Sequence, residues 1–152
     1  MITWVAVAKF LHVLAVIVWL GGIITLTILN LRLSRTTNRE ALAALSSASE
    51  FYGRAVIGPA GAVTLLAGIA TVLISGFRFG ALWITWGFAA ILLSLLLGAT
   101  LIRMTTTRLQ MAGAAGDGTS VPALQRRLML LNGLNMLLLL SAVWAMVAKP
   151  TL

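Results

Sequence analysis

Four apolar stretches, each at least about as long as the 20 residues a helix needs to cross a hydrocarbon core, take up most of this chain. They run from about Trp4 to Leu31, Ala55 to Ile74, Ala81 to Ile102 and Leu128 to Val147. Inside a bilayer each crossing segment must satisfy its own backbone hydrogen bonds, which here means helices. The expected fold is therefore all-α: a single-domain integral membrane four-helix bundle, with two longer connections and short ends. With 61% hydrophobic and only 9% charged residues, the chain is excluded from ordinary soluble domains.

The first stretch has no basic region before it and no small-residue cleavage site after a short apolar core, so it reads as a retained span and not as a secretory leader. In the second, Gly58-Pro59 suits a first helical turn, where the missing N–H does least harm. Arg39 to Leu45 reads as a short interfacial helix capped by Asn38, and Ala112 to Ser120, rich in Gly and Ala, as a flexible connection.

Charge assigns an orientation. Four arginines lie between Arg32 and Arg54 and four between Arg103 and Arg127, whereas the N-terminal flank, the link at Arg78 and the C-terminus at Lys149 carry one basic residue each. The positive-inside rule puts both basic loops in the cytoplasm and both termini outside, N-out/C-out. Trp4, Trp83, Trp86 and Trp144 fall at the expected outer ends and form an aromatic belt, leaving Trp19 deep. The net charge of +8 is thus explained by topology, and no nucleic acid is expected as a partner.

The chemistry available is narrow. Without cysteine there is no disulfide, thiolate metal site or cysteine nucleophile, and the three acids, Glu40, Glu50 and Asp117, all lie in the basic loops, away from the single histidine. That histidine, His12, stands about 12 Å below the outer interface at helical rise, and ionisable residues at such depth are functional candidates. Lys9 lies one turn above it on the same helix face, and Val16 and Trp19 continue the face below. Depth counting brings Ala67 and Gly68, Ala89 and Ala90, and Leu139 and Ser141 to the same level, where small residues mean either close helix contact or a cavity.

A porphyrin needs an imidazole for its iron, an apolar wall and cations at the water edge for its propionates. His12 supplies the first, Trp19 and Gly68 belong to the second, and Lys9, Arg78 and Lys149 are the outer cations. Each residue also has a plainer reading. His12 serves as an interhelical hydrogen bonder, Lys9 snorkels, Trp19 packs the core, Arg78 and Lys149 mark span ends, and Asn132 with Asn135 bond across helices. Copper is the other candidate metal, through the thioethers of Met104, Met111, Met129, Met136 and Met146, although no tight Met-x-x-Met or His-Met pattern is present.

In Lys9-x-x-His12 followed by Trp19-Leu20-Gly21-Gly22, and in the ending Trp144-Ala145-Met146-Val147-Ala148-Lys149-Pro150, the chain resembles a family of predicted integral membrane proteins, domain of unknown function 2269. That family looks related to the CopD-like copper-resistance membrane domain and to HemJ-type protoporphyrinogen oxidases. The resemblance implies a four-helix protein of the bacterial inner membrane in which His12 matches the first-helix histidine that HemJ-type proteins use for haem. HemJ-type proteins continue with an arginine and a second histidine where this chain reads Ile23-Ile24-Thr25-Leu26, a departure that weighs against protoporphyrinogen oxidation. CopD-like copper clusters are likewise missing.

The expectations are therefore haem b on His12, with copper as the alternative metal, in a redox, electron-transfer or gas-binding role. A homo-oligomer, possible as a twofold dimer sharing one haem, and a quinone or other redox partner go with that reading. A cofactor-free accessory subunit and a CopD-like copper or solute permease are the competing ones.

Overall fold

The computed structural model describes residues 3–33 and 39–150. Helix α1 spans Trp4–Leu33, and α2 (Arg39–Tyr52) passes through a π turn at Gly53–Ile57 into α3 (Gly58–Ser75). Helix α4 (Leu82–Leu97) passes through a second π turn at Gly98–Ile102 into α5 (Arg103–Ala115), and α6 spans Val121–Ala148. Among the described residues there is no strand, and four segments are long and apolar enough to cross a membrane.

The local causes are readable. Pro59 and Pro122 sit in the first turns of α3 and α6, where no intrahelical N–H is needed. Gly76 (φ 68°) and Gly116 (φ 71°) end α3 and α5 in the left-handed region that lacks a penalty only for glycine. Threonines inside the apolar segments return their hydroxyls to the carbonyl four residues back, as Thr27 does to Ile23 and Thr105 to Leu101 (2.8 and 2.7 Å), so they expose no unpaired group to lipid. Arg54 lies within the first π turn and Arg103 directly follows the second. Both turns therefore mark the end of a crossing segment of about 20 residues, the thickness of a hydrocarbon core.

Two hairpins form the bundle. Helix α1 packs extensively on α3 and α4 on α6, with a smaller α1–α6 contact and a slight one between α3 and α4. Trp19, Ile23, Ala60, Ile91 and Leu139 make the core, with contributions from all four crossing helices. Trp19 is 4% exposed and rests on Gly61, where a Cβ would stand 3.1 Å from its ring. Large apolar side chains such as Phe10, Ile17, Leu66, Leu96 and Leu137 cover the perimeter instead, the arrangement expected of a bundle whose solvent is lipid.

Two connections differ from the sequence expectation. The segment beginning at Arg39 does not stop at Leu45 but runs on into α3, and Asn38, the expected cap, lies outside the described residues. The stretch expected to be a flexible link is helical through Ala115, since α5 packs along α6. Its remainder is ordered by Asp117, whose carboxylate accepts from the Thr119 and Ser120 hydroxyls (2.6 and 2.5 Å) and from both backbone N–H groups. These bonds lower the Asp117 pKa to about 2.

Candidate functional site

His12 sits in the seam between α1 and α3. Its Nδ1 is 2.9 Å from the backbone carbonyl of Thr64. A carbonyl only accepts, so Nδ1 must carry the proton, and in the neutral ring the lone pair is then fixed on Nε2. Nε2 makes no hydrogen bond among the described residues and is not one of the sealed, unpartnered polar atoms. An imidazole pinned through one nitrogen to a backbone carbonyl, with the other free, has the tautomer and orientation that iron or zinc ligation requires.

Gly68 makes this approach feasible. A Cβ at that position would stand 3.2 Å from Cε1 and 3.3 Å from Nδ1 of His12, so the absent side chain is the space the ring occupies. The hydroxyl of Thr64 turns away to the Ala60 carbonyl at 2.8 Å, leaving the Thr64 carbonyl to face the histidine. Small residues at the level of His12 thus produce close contact here and not a cavity. The only other interhelical side-chain bond among the described residues of the crossing helices is from Trp86 Nε1 to the Ser141 hydroxyl, 3.2 Å, between α4 and α6.

Below His12 the interior is nearly filled. A void of about 20 Å³, room for about one water, lies among Val16, Trp19, Thr64, Ile91, Leu139 and Met146. Trp19 therefore both packs the core and lines this space. Asn135 and Ser94, on facing helices α6 and α4, are buried, and Asn135 Oδ1 and Ser94 Oγ lack partners among the described residues, so the cross-helix bond expected of Asn135 is not formed.

At the end of the bundle that carries the α3–α4 link, which we call the rim, the cations are distributed unequally. Lys9 Nζ lies over the Phe77 ring at 6.0 Å and Lys149 Nζ over Trp83 at 5.8 Å, while Phe77 and Trp83 meet edge to face at 5.4 Å. These contacts gather Lys9 and Lys149 around one pair of rings. Arg78 lies exposed in the link, where its carbonyl accepts from the Ala81 N–H, and its side chain makes no ion pair or ring contact among the described residues. Trp4, Trp86 and Trp144 are exposed at the same end.

Sequence and structure together place the chain among proteins built to cross the bilayer several times, and residues 6–150 match the family described as "Predicted integral membrane protein (DUF2269)". The chain belongs to that family. No curated protein and no solved structure matches it. In this member of the DUF2269 family no group of three or more His, Asp or Glu side chains converges on a metal-sized space among the described residues. Met104, Met111 and Met129, all exposed, lie toward the end opposite the rim, and Met146 instead presses its methyl group against Gly87.

Depth counting along the sequence brought Gly68 to the level of His12, and the structure puts the two in contact. Sequence reasoning missed the histidine's acceptor, because a main-chain carbonyl leaves no residue signature. It also missed Phe77, which follows the Gly76 turn and carries no signal beyond being aromatic near a span end.

Proposed function

We propose that this DUF2269 protein holds haem b at its surface between helices, with His12 Nε2 as the axial ligand. The observation that carries the reading is the pairing of Nδ1 with the Thr64 carbonyl, which leaves Nε2 as a free, oriented lone pair at membrane depth. The donor chemistry fits; the enclosed space does not, since a cofactor pocket occupies about 300 Å³ or more and the interior void is about 20 Å³. The reading therefore assigns the ligand to the flank of the α1–α3 seam, where His12 is only half-buried. Lys9, one turn toward the rim on the same helix, is the nearest cation in sequence for a propionate, with Lys149 and Arg78 beyond it.

Bound haem would supply one-electron redox chemistry or a site for a small gas. The chain's own residues hold the imidazole in one tautomer, keep water from its α3 side through the Gly68 contact, and supply cations at the rim. With a single histidine in the chain, a second protein ligand would have to come from a methionine or from His12 of a second copy, and the resemblance around Lys9-x-x-His12 to HemJ-type proteins supports haem over copper. We also read the bundle as lying in the bacterial inner membrane, with the arginine-rich α2 and α5 end in the cytoplasm and the rim outside. A quinone or protein redox partner and a homodimer belong to the same proposal.

One observation favours a second reading. The His12–Thr64 bond joins α1 to α3, and in this second reading the histidine serves assembly alone in a cofactor-free accessory subunit. Visible spectra of protein purified after expression with ample haem, oxidised and dithionite-reduced, decide between them. Haem ligation gives a Soret band that His12→Ala abolishes; a colourless wild-type protein under those conditions overturns the haem proposal.

A further inference from the structure

The rim gathers positive charge, and among the described residues no acidic side chain lies at that end. Lys9 comes from α1, Phe77 from the α3–α4 link, Trp83 from α4 and Lys149 from the end of α6, so four separate parts of the chain meet there. Arg78 adds a third cation in the same link. The chain has only three acidic side chains, and Glu40, Glu50 and Asp117 belong to α2 and the α5–α6 link at the opposite end. Neither lysine forms an ion pair among the described residues; each ammonium instead stands over an aromatic face, which orients it while leaving its N–H donors uncommitted.

The backbone at Lys149 is a second, independent observation. It caps α6 in the left-handed region, φ 44°, the only non-glycine residue with positive φ among the described residues. Glycine ends α3 and α5 at the equivalent position without strain. A lysine held there against that preference delivers an ammonium to the Trp83 ring, which glycine could not. Trp83 opens the crossing helix α4 and Phe77 precedes it in the link, and tryptophan at the end of a crossing helix is enriched at lipid-headgroup level.

We propose that Lys9 and Lys149, positioned by Phe77 and Trp83, bind the phosphate headgroup of an anionic phospholipid at the rim. Charge complementarity selects an anion, and the position at a helix-end aromatic pair selects one delivered by the bilayer. The inference does not rest on the haem reading, which offers the same two lysines to a propionate; it concerns the lysines when no haem is bound, and it is tested without haem.

The experiment is native mass spectrometry of the His12→Ala protein released from mixed vesicles of equal phosphatidylglycerol and phosphatidylcholine. Phosphatidylglycerol should be retained preferentially, and Lys9→Gln and Lys149→Gln should each reduce that retention about fivefold, the effect of roughly one surface charge on anionic lipid binding. Lys9→Arg with Lys149→Arg should restore it, and Arg126→Gln with Arg127→Gln, at the opposite end, should leave it unchanged. Equal retention of both lipids, loss of retention in the Arg126/Arg127 variant to the same degree, or full retention in the double glutamine variant overturns the proposal. Complete displacement by millimolar inorganic phosphate overturns its lipid part and leaves a site for free anions. Circular dichroism of each variant separates a lost site from a lost fold, and the arginine variant keeps the test decisive if the glutamine variant unfolds.

Discussion

Adding one methyl group at Gly68 tests whether the imidazole really occupies that space. The new Cβ would lie 3.2 Å from Cε1 and 3.3 Å from Nδ1 of His12, against an ordinary carbon contact of about 3.5–4.0 Å. The ring must retreat by a few tenths of an ångström, and the Nδ1 to Thr64 carbonyl distance of 2.9 Å must lengthen toward the limit of a hydrogen bond. Overpacking of this kind costs about 1–3 kcal/mol, and a few tenths of an ångström belongs at the low end. Replacing a helical glycine with alanine returns about 1 kcal/mol, so Gly68→Ala alone is expected to be near neutral or to destabilise by up to about 1 kcal/mol. In a His12→Ala background the clash is gone and only the gain remains. The two substitutions should thus be coupled by about 1–2 kcal/mol, with Gly68→Ala stabilising once the histidine is absent. Reversible unfolding in mixed detergent, followed by far-ultraviolet circular dichroism across the four-member cycle, measures the coupling. Additive effects within about 0.4 kcal/mol, the scatter of independent sites, would refute the contact.

Trp19→Ala should destabilise by about 3 kcal/mol or more in the same unfolding assay, because a ring 4% exposed leaves a void beside Gly61 that helices cannot close. Gly61→Val should be nearly as damaging, with the Trp19 emission changed, since its Cβ alone would already stand 3.1 Å from the indole. Asp117 has a folded pKa of about 2 against an unfolded 3.8, so its ordering of the α5–α6 link is present above about pH 4 and lost as pH falls through about 2. The protection of the Thr119 and Ser120 amides, taken against the intrinsic exchange rate at each pH, should fall across that window, and Asp117→Asn should show the lower protection at pH 6 already. Trp86→Phe, which removes the bond to Ser141, should cost about 0.6 kcal/mol, the average of measured polar contacts between membrane helices.

Much of the architecture is visible in the residues themselves. Hydropathy gives the four crossings, and the boundary arginines Arg54 and Arg103 fall where the π turns end two of them, because a guanidinium cannot follow a helix into hydrocarbon. Depth counting along straight helices was enough to bring Gly68 to His12. The extension of α2 and α5 was not legible, since Arg103–Ala115 is polar and contains a glycine at 113, and it is packing along α6 that keeps it helical. Small residues opposite a histidine suggest a cavity or a close contact equally well from sequence; which one holds depends on where the ring turns, and the ring turns to a main-chain oxygen. The pairing of Lys9 with Phe77 escaped notice because a flexible side chain reaches across from its own helix to a loop some 68 positions away.

The π turns at Gly53–Ile57 and Gly98–Ile102 each accommodate one residue more than an α-helical path would use. Beyond them, α2 and α5 continue for 14 and 13 residues, about 20 Å each. A single inserted or deleted amino acid at either place can therefore be taken up by widening or closing the turn, which leaves both the crossing segment and the arm beyond it close to phase. Length variation among relatives should accordingly collect at these two joints, where it alters neither the membrane core nor the face by which α5 packs on α6.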